Sequence, residues 1–198
     1  MNHKTLANIA KDAYDYAAFN IGECEAIIKY YDDVQVVAFR GTETGAIFDG
    51  AGWVDVVRDL RVIPWYDKDT GWVHAGFLKG AQRASDFLAS KLDKSLPVIM
   101  TGHSMGGALS LMTACKLQGM GFKIKEWVGF GSPKCQFSTR QYAFKQTNYR
   151  YRADIVTLMP RLPFYRHNYM LICLDYDPDI EPNWHDHAIE FYMQHART

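Results

Sequence analysis

The sequence predicts an α/β fold with a mainly parallel central sheet and helices on both faces. Short apolar runs, suited to buried strands, alternate along the chain with longer segments of helical periodicity. One such run, residues 97–101, leads through a glycine-rich turn directly into a helix-forming segment at residues 108–117. The chain has 198 residues and is 48% hydrophobic, which fits one domain over residues 1–198 with a sizeable core.

The N-terminal part predicts one helix and one hairpin. Residues 4–18 place small and aliphatic side chains on one face, which is typical of a surface helix. Residues 25–31 and 34–40 are apolar runs separated by Asp32 and Asp33, a pattern that predicts a β-hairpin.

The next part predicts an irregular segment over residues 43–72, followed by a long helix over residues 73–92. Glycines in the irregular segment lie among large apolar side chains such as Phe48 and Trp53. Two interpretations stay open for residues 43–53: a mobile lid over an apolar cleft, or a fixed surface loop held by its aromatic side chains.

The C-terminal half predicts three strands and a last helix. The strands are expected at residues 127–131, 149–153 and 169–174, which are rich in aromatic and β-branched side chains. An acidic, turn-rich segment follows at residues 175–182, and residues 185–195 predict the helix.

Residues 102–106 form a G-x-S-x-G pattern between the predicted strand and the predicted helix. A serine at such a junction is typical of a nucleophile elbow, where small flanking residues leave the hydroxyl accessible. Ser104 is therefore a candidate nucleophile, and the backbone N–H of Met105 is a candidate donor to an oxyanion. The alternative is that Ser104 only caps the helix, because serine is a favoured N-cap residue.

A serine nucleophile requires a base, and the base requires an orienting carboxylate. In α/β-hydrolases the acid and then the histidine follow the serine along the chain. The candidates are Asp154, Asp175 and Asp177 as acids, and His167, His185, His187 and His195 as bases. Asp154 directly follows a predicted strand, at the sheet edge where functional groups gather. His187 is favoured because it follows the acidic turn, and His185 stays open as its alternative.

Several segments, in the same order, resemble the class 3 lipases, a family of fungal triacylglycerol lipase-like α/β-hydrolases. The segments are V-A-F-R-G-T at 37–42, V-H-A-G-F at 73–77, G-H-S-M-G-G at 102–107, G-F-G-S-P at 129–133, D-I-V at 154–156 and D-H at 186–187. The resemblance implies an α/β-hydrolase fold in which Ser104, Asp154 and His187 form a catalytic triad. It also implies an oxyanion hole at Thr42 and Met105. It makes His74 a structural residue rather than a base.

The function implied is that of a serine esterase or lipase, which hydrolyses carboxylic ester bonds of triacylglycerol-like lipids through an acyl-enzyme. No cofactor is implied. A phospholipase, a soluble short-chain esterase and a catalytically silent binding module with a hydrolase fold are the alternatives. A calcium loop over residues 175–186 is not expected, because Ile180 stands where its sharp turn needs glycine.

The charge pattern limits the partners. The 22 basic and 22 acidic residues cancel, so nothing indicates a nucleic-acid partner. Residues 134–166 hold seven basic residues and one acidic residue. We expect a solvated face there, with a transient contact to an anionic lipid surface as the alternative.

Location and redox state follow from the apolar runs and the cysteines. No run has the length of a transmembrane segment, and the N-terminus lacks a signal-peptide core. The chain is therefore expected to be cytoplasmic, or a mature form with its leader removed. Three of the four cysteines lie in apolar segments, where reduced, buried thiols are expected.

Overall fold

The computed structural model describes residues 1–16, 19–21, 24–41, 63–137, 142–162, 164–167 and 169–197. The helices are α1 (His3–Asp15), α2 (Ala75–Ala89), α3 (Met105–Gly119) and α4 (Ile189–His195). The strands are β1 (Phe19–Ile21), β2 (Cys24–Tyr30), β3 (Gln35–Phe39), β4 (Pro64–Asp67), β5 (Gly71–His74), β6 (Val98–His103), β7 (Ile124–Phe130), β8 (Lys145–Tyr151) and β9 (Met170–Leu174). Among the described residues, 3₁₀ helices lie at Val156–Leu158 and His185–His187.

The central sheet has the strand order β1-β2-β3-β6-β7-β8-β9. β1, β2 and β3 pair antiparallel, and β2 and β3 form the hairpin predicted from the two apolar runs. In the rest of this sheet, the pairs β3–β6, β6–β7, β7–β8 and β8–β9 are all parallel. The prediction of a mainly parallel central sheet is therefore confirmed.

Helices cover both faces of the sheet, as predicted. Along β3, Val37 and Phe39 point into the core that contains the apolar side chains of α2 and α3. Val36 and Ala38 point to the opposite face, into the core formed with α1 and α4. Because successive strand residues alternate between faces, a strand buried on both sides is expected to be mostly apolar, and residues 36–39 of β3 are.

The carboxyl ends of the central strands lie side by side. Gly102 of β6 is in register with Phe39 of β3 and with Gly129 of β7. Phe130 of β7 is likewise in register with Tyr149 of β8. The loops that follow these four strands therefore leave the sheet at one edge, which is where parallel sheets assemble functional groups.

Two predicted boundaries are wrong at residues 64–74. The expected irregular segment contains the hairpin β4–β5, and the expected helix from residue 73 begins only at Ala75. A tertiary ion pair fixes the hairpin, because buried Lys116 of α3 contacts Asp67 at 3.0 Å and Asp69 at 2.8 Å. His74 caps α2 by accepting a hydrogen bond from the Gly76 N–H, which sets the helix start.

Smaller differences concern the first and last helices. α1 ends at Asp15, and the last predicted helix is divided into a 3₁₀ turn at His185–His187 and α4. Within the residues described, no helix is long and apolar enough to cross a membrane. Cys24, Cys115 and Cys135 are buried, whereas Cys173 is exposed. The residues proposed as a lid, 43–53, lie outside the described residues.

Candidate active site

Ser104 occupies a strained turn between β6 and α3. Its backbone has φ 56° and ψ −132°, a combination that non-glycine residues rarely adopt, and its side chain makes no capping hydrogen bond. Ser104 is fully buried, and its Oγ has no hydrogen-bond partner in the described part of the chain. The Ser104 N–H donates to the Phe130 carbonyl at 2.9 Å, which ties the turn to the end of β7. A role for Ser104 limited to capping therefore has no support from its contacts.

The turn is packed too closely for side chains on its glycines. A Cβ on Gly106 would lie 2.7 Å from the Arg40 carbonyl oxygen, and one on Gly102 would lie 2.5 Å from the Gly106 carbonyl. Because real Cβ atoms essentially never approach so closely, the G-x-S-x-G spacing here is a steric requirement of the elbow.

The two residues predicted to bind an oxyanion lie on different segments. Met105 is the first residue of α3, where backbone N–H groups point out along the positive end of the helix dipole. Thr42 lies outside the described residues, but its neighbour Gly41 is within them. A Cβ on Gly41 would come within 3.2 Å of the Ser104 Cβ, so the chain leading to Thr42 runs directly beside the serine.

Asp154 and His187 are in direct contact. His187 Nδ1 lies 2.9 Å from Asp154 Oδ2, and both side chains are buried. A carboxylate only accepts hydrogen bonds, so the shared proton lies on Nδ1, which leaves Nε2 as the nitrogen that can exchange a proton with a substrate or a nucleophile. Asp154 Oδ1 also accepts from the Val156 N–H at 2.9 Å, which orients the carboxylate.

Tyr192 is a site residue that the sequence did not predict. Its hydroxyl donates to Asp154 Oδ2 at 2.5 Å and accepts from the Tyr151 N–H at 3.2 Å. Burial, followed by the adjacent Asp154 carboxylate, raises the pKa of Tyr192 well above its ordinary value, so the hydroxyl keeps its proton. The sequence gives one indication of this role. Tyr192 lies three residues after Ile189, on the same buried face of α4, and a buried tyrosine hydroxyl needs a hydrogen-bond partner.

Gly131 fills the space beside this pair. A Cβ built on it would lie 2.9 Å from Asp154 Oδ2 and 2.9 Å from His187 Nδ1, and its φ of 61° also disfavours a side chain. The second glycine of the G-F-G-S-P segment, Gly131, is therefore required where the chain leaving β7 meets Asp154 and His187.

Asp186 connects the loops that carry the acid and the histidine. Its Oδ2 accepts from the Ala153 N–H at 3.1 Å and from Asn183 Nδ2 at 3.0 Å. Ala153 precedes Asp154, and Asp186 precedes His187, so this one carboxylate holds both candidates in register. The D-H dipeptide thus combines a structural residue with a candidate base.

The alternative acids and bases lie elsewhere. Asp175 and Asp177 are exposed, and Asp175 pairs with Arg152 at 3.5 Å. The side chain of His185 is 84% exposed, and its Nδ1 lies 3.8 Å from Asp186 Oδ1. His167 contacts Thr157 and Tyr169, His195 contacts Phe191, and buried His74 caps α2, as its structural assignment implied.

Sequence comparison relates the chain to known lipases. The sequence model of the family described as Lipase (class 3) matches residues 36–164. The secreted mono- and diacylglycerol lipase 3 of Gibberella zeae is 35% identical over 149 residues, which cover 67% of this chain and 46% of that protein. The chain thus spans about half the length of this curated relative.

Structural comparison gives the fold. The chain is similar to a triacylglycerol lipase whose catalytic centre is formed by a serine protease triad, with a TM-score of 0.72 and 17% identity over 93% of this chain and 91% of that one. It is also similar to Rhizomucor miehei triacylglyceride lipase, with a TM-score of 0.61 and 19% identity over 82% and 75% of the two chains. The predicted α/β-hydrolase fold is confirmed.

Proposed function

The chain belongs to the class 3 lipase family, and from this premise we propose that it hydrolyses carboxylic ester bonds of lipids. In this proposal Ser104 is the nucleophile, His187 the general base and acid, and Asp154 the orienting carboxylate. The observation that carries it is the buried Asp154–His187 hydrogen bond of 2.9 Å, formed at the sheet edge where the strained turn holds Ser104.

In the first half-reaction, His187 Nε2 takes the Ser104 hydroxyl proton while Oγ forms a bond to the ester carbonyl carbon. The carbonyl π electrons move to oxygen, which becomes the oxyanion. When this intermediate collapses, the bond to the leaving alcohol breaks and His187 gives the alcohol its proton. The acyl group stays on Ser104.

In the second half-reaction, His187 takes a proton from water while the water oxygen attacks the acyl carbon. Collapse breaks the bond to Ser104 Oγ, which regains a proton from His187, and the carboxylic acid leaves. Asp154 stabilises the imidazolium in both halves and keeps its Nδ1 proton in place. The proposed oxyanion donors are the Met105 and Thr42 backbone N–H groups, with the Thr42 hydroxyl as a further donor.

The proposed substrates are acylglycerols. The Gibberella zeae relative is named as a mono- and diacylglycerol lipase, and the two structural neighbours are triacylglycerol or triacylglyceride lipases. Of the two locations left open by the sequence, the secreted location of that relative favours the mature form.

Fluorophosphonate labelling tests the nucleophile. The probe should label the wild type at Ser104 and should not label the Ser104→Ala variant. A panel of nitrophenyl esters, followed by emulsified mono-, di- and triacylglycerols and phospholipid micelles, then separates the lipase from the phospholipase and the short-chain esterase. A protein that neither labels nor hydrolyses any ester would be a silent binding module.

Substitutions test the other two roles. Asp154→Asn should lower kcat by about 10⁴-fold, because the amide favours the wrong histidine tautomer.

His187→Ala should lower kcat by several orders of magnitude, and Ser104→Ala should add little to that loss, because the groups act as a unit. His185→Ala, a matched exposed control, should retain activity. Equal losses at His185 and His187 would contradict the assignment of the base.

A further inference from the structure

His103, the residue before Ser104, takes part in a buried hydrogen-bond network that the mechanism above does not use. The residue is only 3% exposed. Its Nε2 lies 2.8 Å from the backbone carbonyl oxygen of His187, and its Nδ1 lies 2.9 Å from the hydroxyl of Tyr14 on α1. The ring also stacks on the His187 ring, with 4.6 Å between centroids and 28° between planes.

The contacts of His103 define one protonation state. The carbonyl oxygen of His187 can only accept, so His103 Nε2 carries a proton and donates it. Burial, and next the nearby His187, hold the pKa of His103 well below its ordinary value, so the ring is neutral. A neutral imidazole has one N–H, and Nδ1 therefore accepts a hydrogen bond from the Tyr14 hydroxyl.

Tyr14 connects this ring to the chain beside Ser104. A Cβ on Gly41 would collide with the Tyr14 hydroxyl, so the Gly41 backbone packs directly against it. Burial raises the pKa of Tyr14 above its ordinary value, so the hydroxyl keeps its proton. The Tyr14 hydroxyl thus packs against Gly41 and donates to His103, which in turn donates to His187.

This network joins the two segments that must be correctly placed around Ser104. One segment carries His187, and the other leads through Gly41 to Thr42. We propose that Tyr14 and His103 are positioning residues, which hold the backbone of His187 and the chain at Gly41 in fixed positions relative to the serine. The proposal rests on the proposed function, because it assigns these residues to the same reaction.

A neutral His103 also suits the proposed chemistry. His187 becomes an imidazolium in each half-reaction, and a second positive charge on the stacked ring would oppose that step. The Nε2–H donor of His103 instead points at the backbone of His187 and leaves the reacting side of that residue's ring untouched.

The first test removes the Tyr14 hydroxyl. Tyr14→Phe should lower kcat for a small soluble nitrophenyl ester by about 10-fold, the size expected for one buried hydrogen bond, with KM changed less than about 2-fold. The control is Tyr16→Phe, which removes a hydroxyl from a 64% exposed tyrosine two residues away and should leave kcat unchanged. Wild-type kcat in Tyr14→Phe would overturn the proposal.

A double-variant experiment separates positioning from a merely structural role. His103→Gln keeps an N–H donor near the position of Nε2 but has no acceptor at the position of Nδ1. In this background the Tyr14 hydroxyl no longer has a ring nitrogen to bind, so adding Tyr14→Phe should cause no further loss of kcat. The same 10-fold loss in both backgrounds would show that the two residues act independently and would overturn the network.

NMR provides a measurement that does not depend on activity. Ring ¹⁵N shifts of the wild-type protein should show His103 as the neutral Nε2–H form between about pH 5 and pH 8. A proton on Nδ1, or titration of His103 within that range, would overturn the proposal even if the His103 variants fail to fold. A wild type that hydrolyses no ester would instead refute the proposed function, and the NMR result would still decide the network.

Discussion

Gly131→Ala is the substitution whose effect can be worked most directly from the geometry. The new methyl carbon would lie 2.9 Å from Asp154 Oδ2 and from the Nδ1 and Cε1 atoms of His187, whereas ordinary contacts begin at 3.4 Å. Acid and histidine must therefore retreat by about 0.5 Å. Since a 1 Å misplacement of reacting groups costs about 100-fold in rate, we expect kcat to fall by about 10-fold.

The same substitution also strains the backbone. A residue with a side chain at the left-handed φ of 61° should lower the free energy of unfolding by about 1–2 kcal/mol. Gly121→Ala is a matched control, because Gly121 has a φ of 88° and no atom within 4 Å of its Cβ position. It should show a similar loss of stability without a loss of kcat.

The assay is hydrolysis of a small soluble nitrophenyl ester, with chemical denaturation of both variants measured alongside. Stability should fall in both alanine variants, and kcat should fall only in Gly131→Ala. If both variants keep wild-type kcat, the contact of residue 131 with Asp154 and His187 has no bearing on the rate. This result would contradict the proposed catalytic roles of Asp154 and His187.

Two further predictions concern buried polar groups. Tyr192→Phe should lower the free energy of unfolding by about 1.5–3 kcal/mol, because it removes a hydrogen bond to the Asp154 carboxylate, while Tyr176→Phe at a 62% exposed position should be neutral in the same denaturation experiment. Lys116→Met should destabilise the protein by about 3–5 kcal/mol at pH 7, because it leaves partly buried Asp67 without its cation. Burial opposes ionisation of Asp67, but the hydrogen bonds from Lys116 and from the Thr70 and Asp69 N–H groups together outweigh it and lower the Asp67 pKa from its ordinary value. The wild-type contribution should therefore be present above about pH 4 and be lost as pH falls through that lowered pKa, and a pH-independent difference between the two proteins would contradict it.

The architecture was predictable because strand burial and residue spacing are local signals. β3 and β6 are buried on both faces, so their apolar runs identify them without knowledge of their neighbours. The elbow was predictable for a related reason, since Gly102 and Gly106 are demanded by contacts within a few residues of Ser104 and by the adjacent strand end.

The hairpin β4–β5 was not predictable in the same way. Its aromatic residues Trp65, Tyr66 and Trp72 are more than half exposed, so no alternation of buried and exposed positions marks β4. The ion pair that holds the hairpin joins Asp67 to Lys116, which lies 49 residues further along the chain. Local sequence carries no information about such a partner.

Around the candidate site, some residues could be predicted from local sequence and others could not. Asp154 and His187 could be proposed because Asp154 follows a predicted strand and His187 opens the last predicted helix, in the chain order that hydrolases use. The hydroxyls of Tyr14 and Tyr192 could not, since each acquires its role only from a partner 89 or 38 residues away. A tyrosine on a helix is most often part of the apolar core, and the residues next to Tyr14 and Tyr192 in the sequence do not indicate another role.

These long-range contacts explain how a strained serine is held at the junction of β6 and α3. Ser104 is fixed by the Phe130 carbonyl on one side, and Gly41 packs against it on the other. Asp186 links the loops of the acid and the histidine, and His103 links the histidine backbone to the elbow itself. Each link is a buried hydrogen bond or a close packing contact between different segments, so displacing one segment disturbs the others. We therefore expect substitutions in this network to lower kcat before they alter KM.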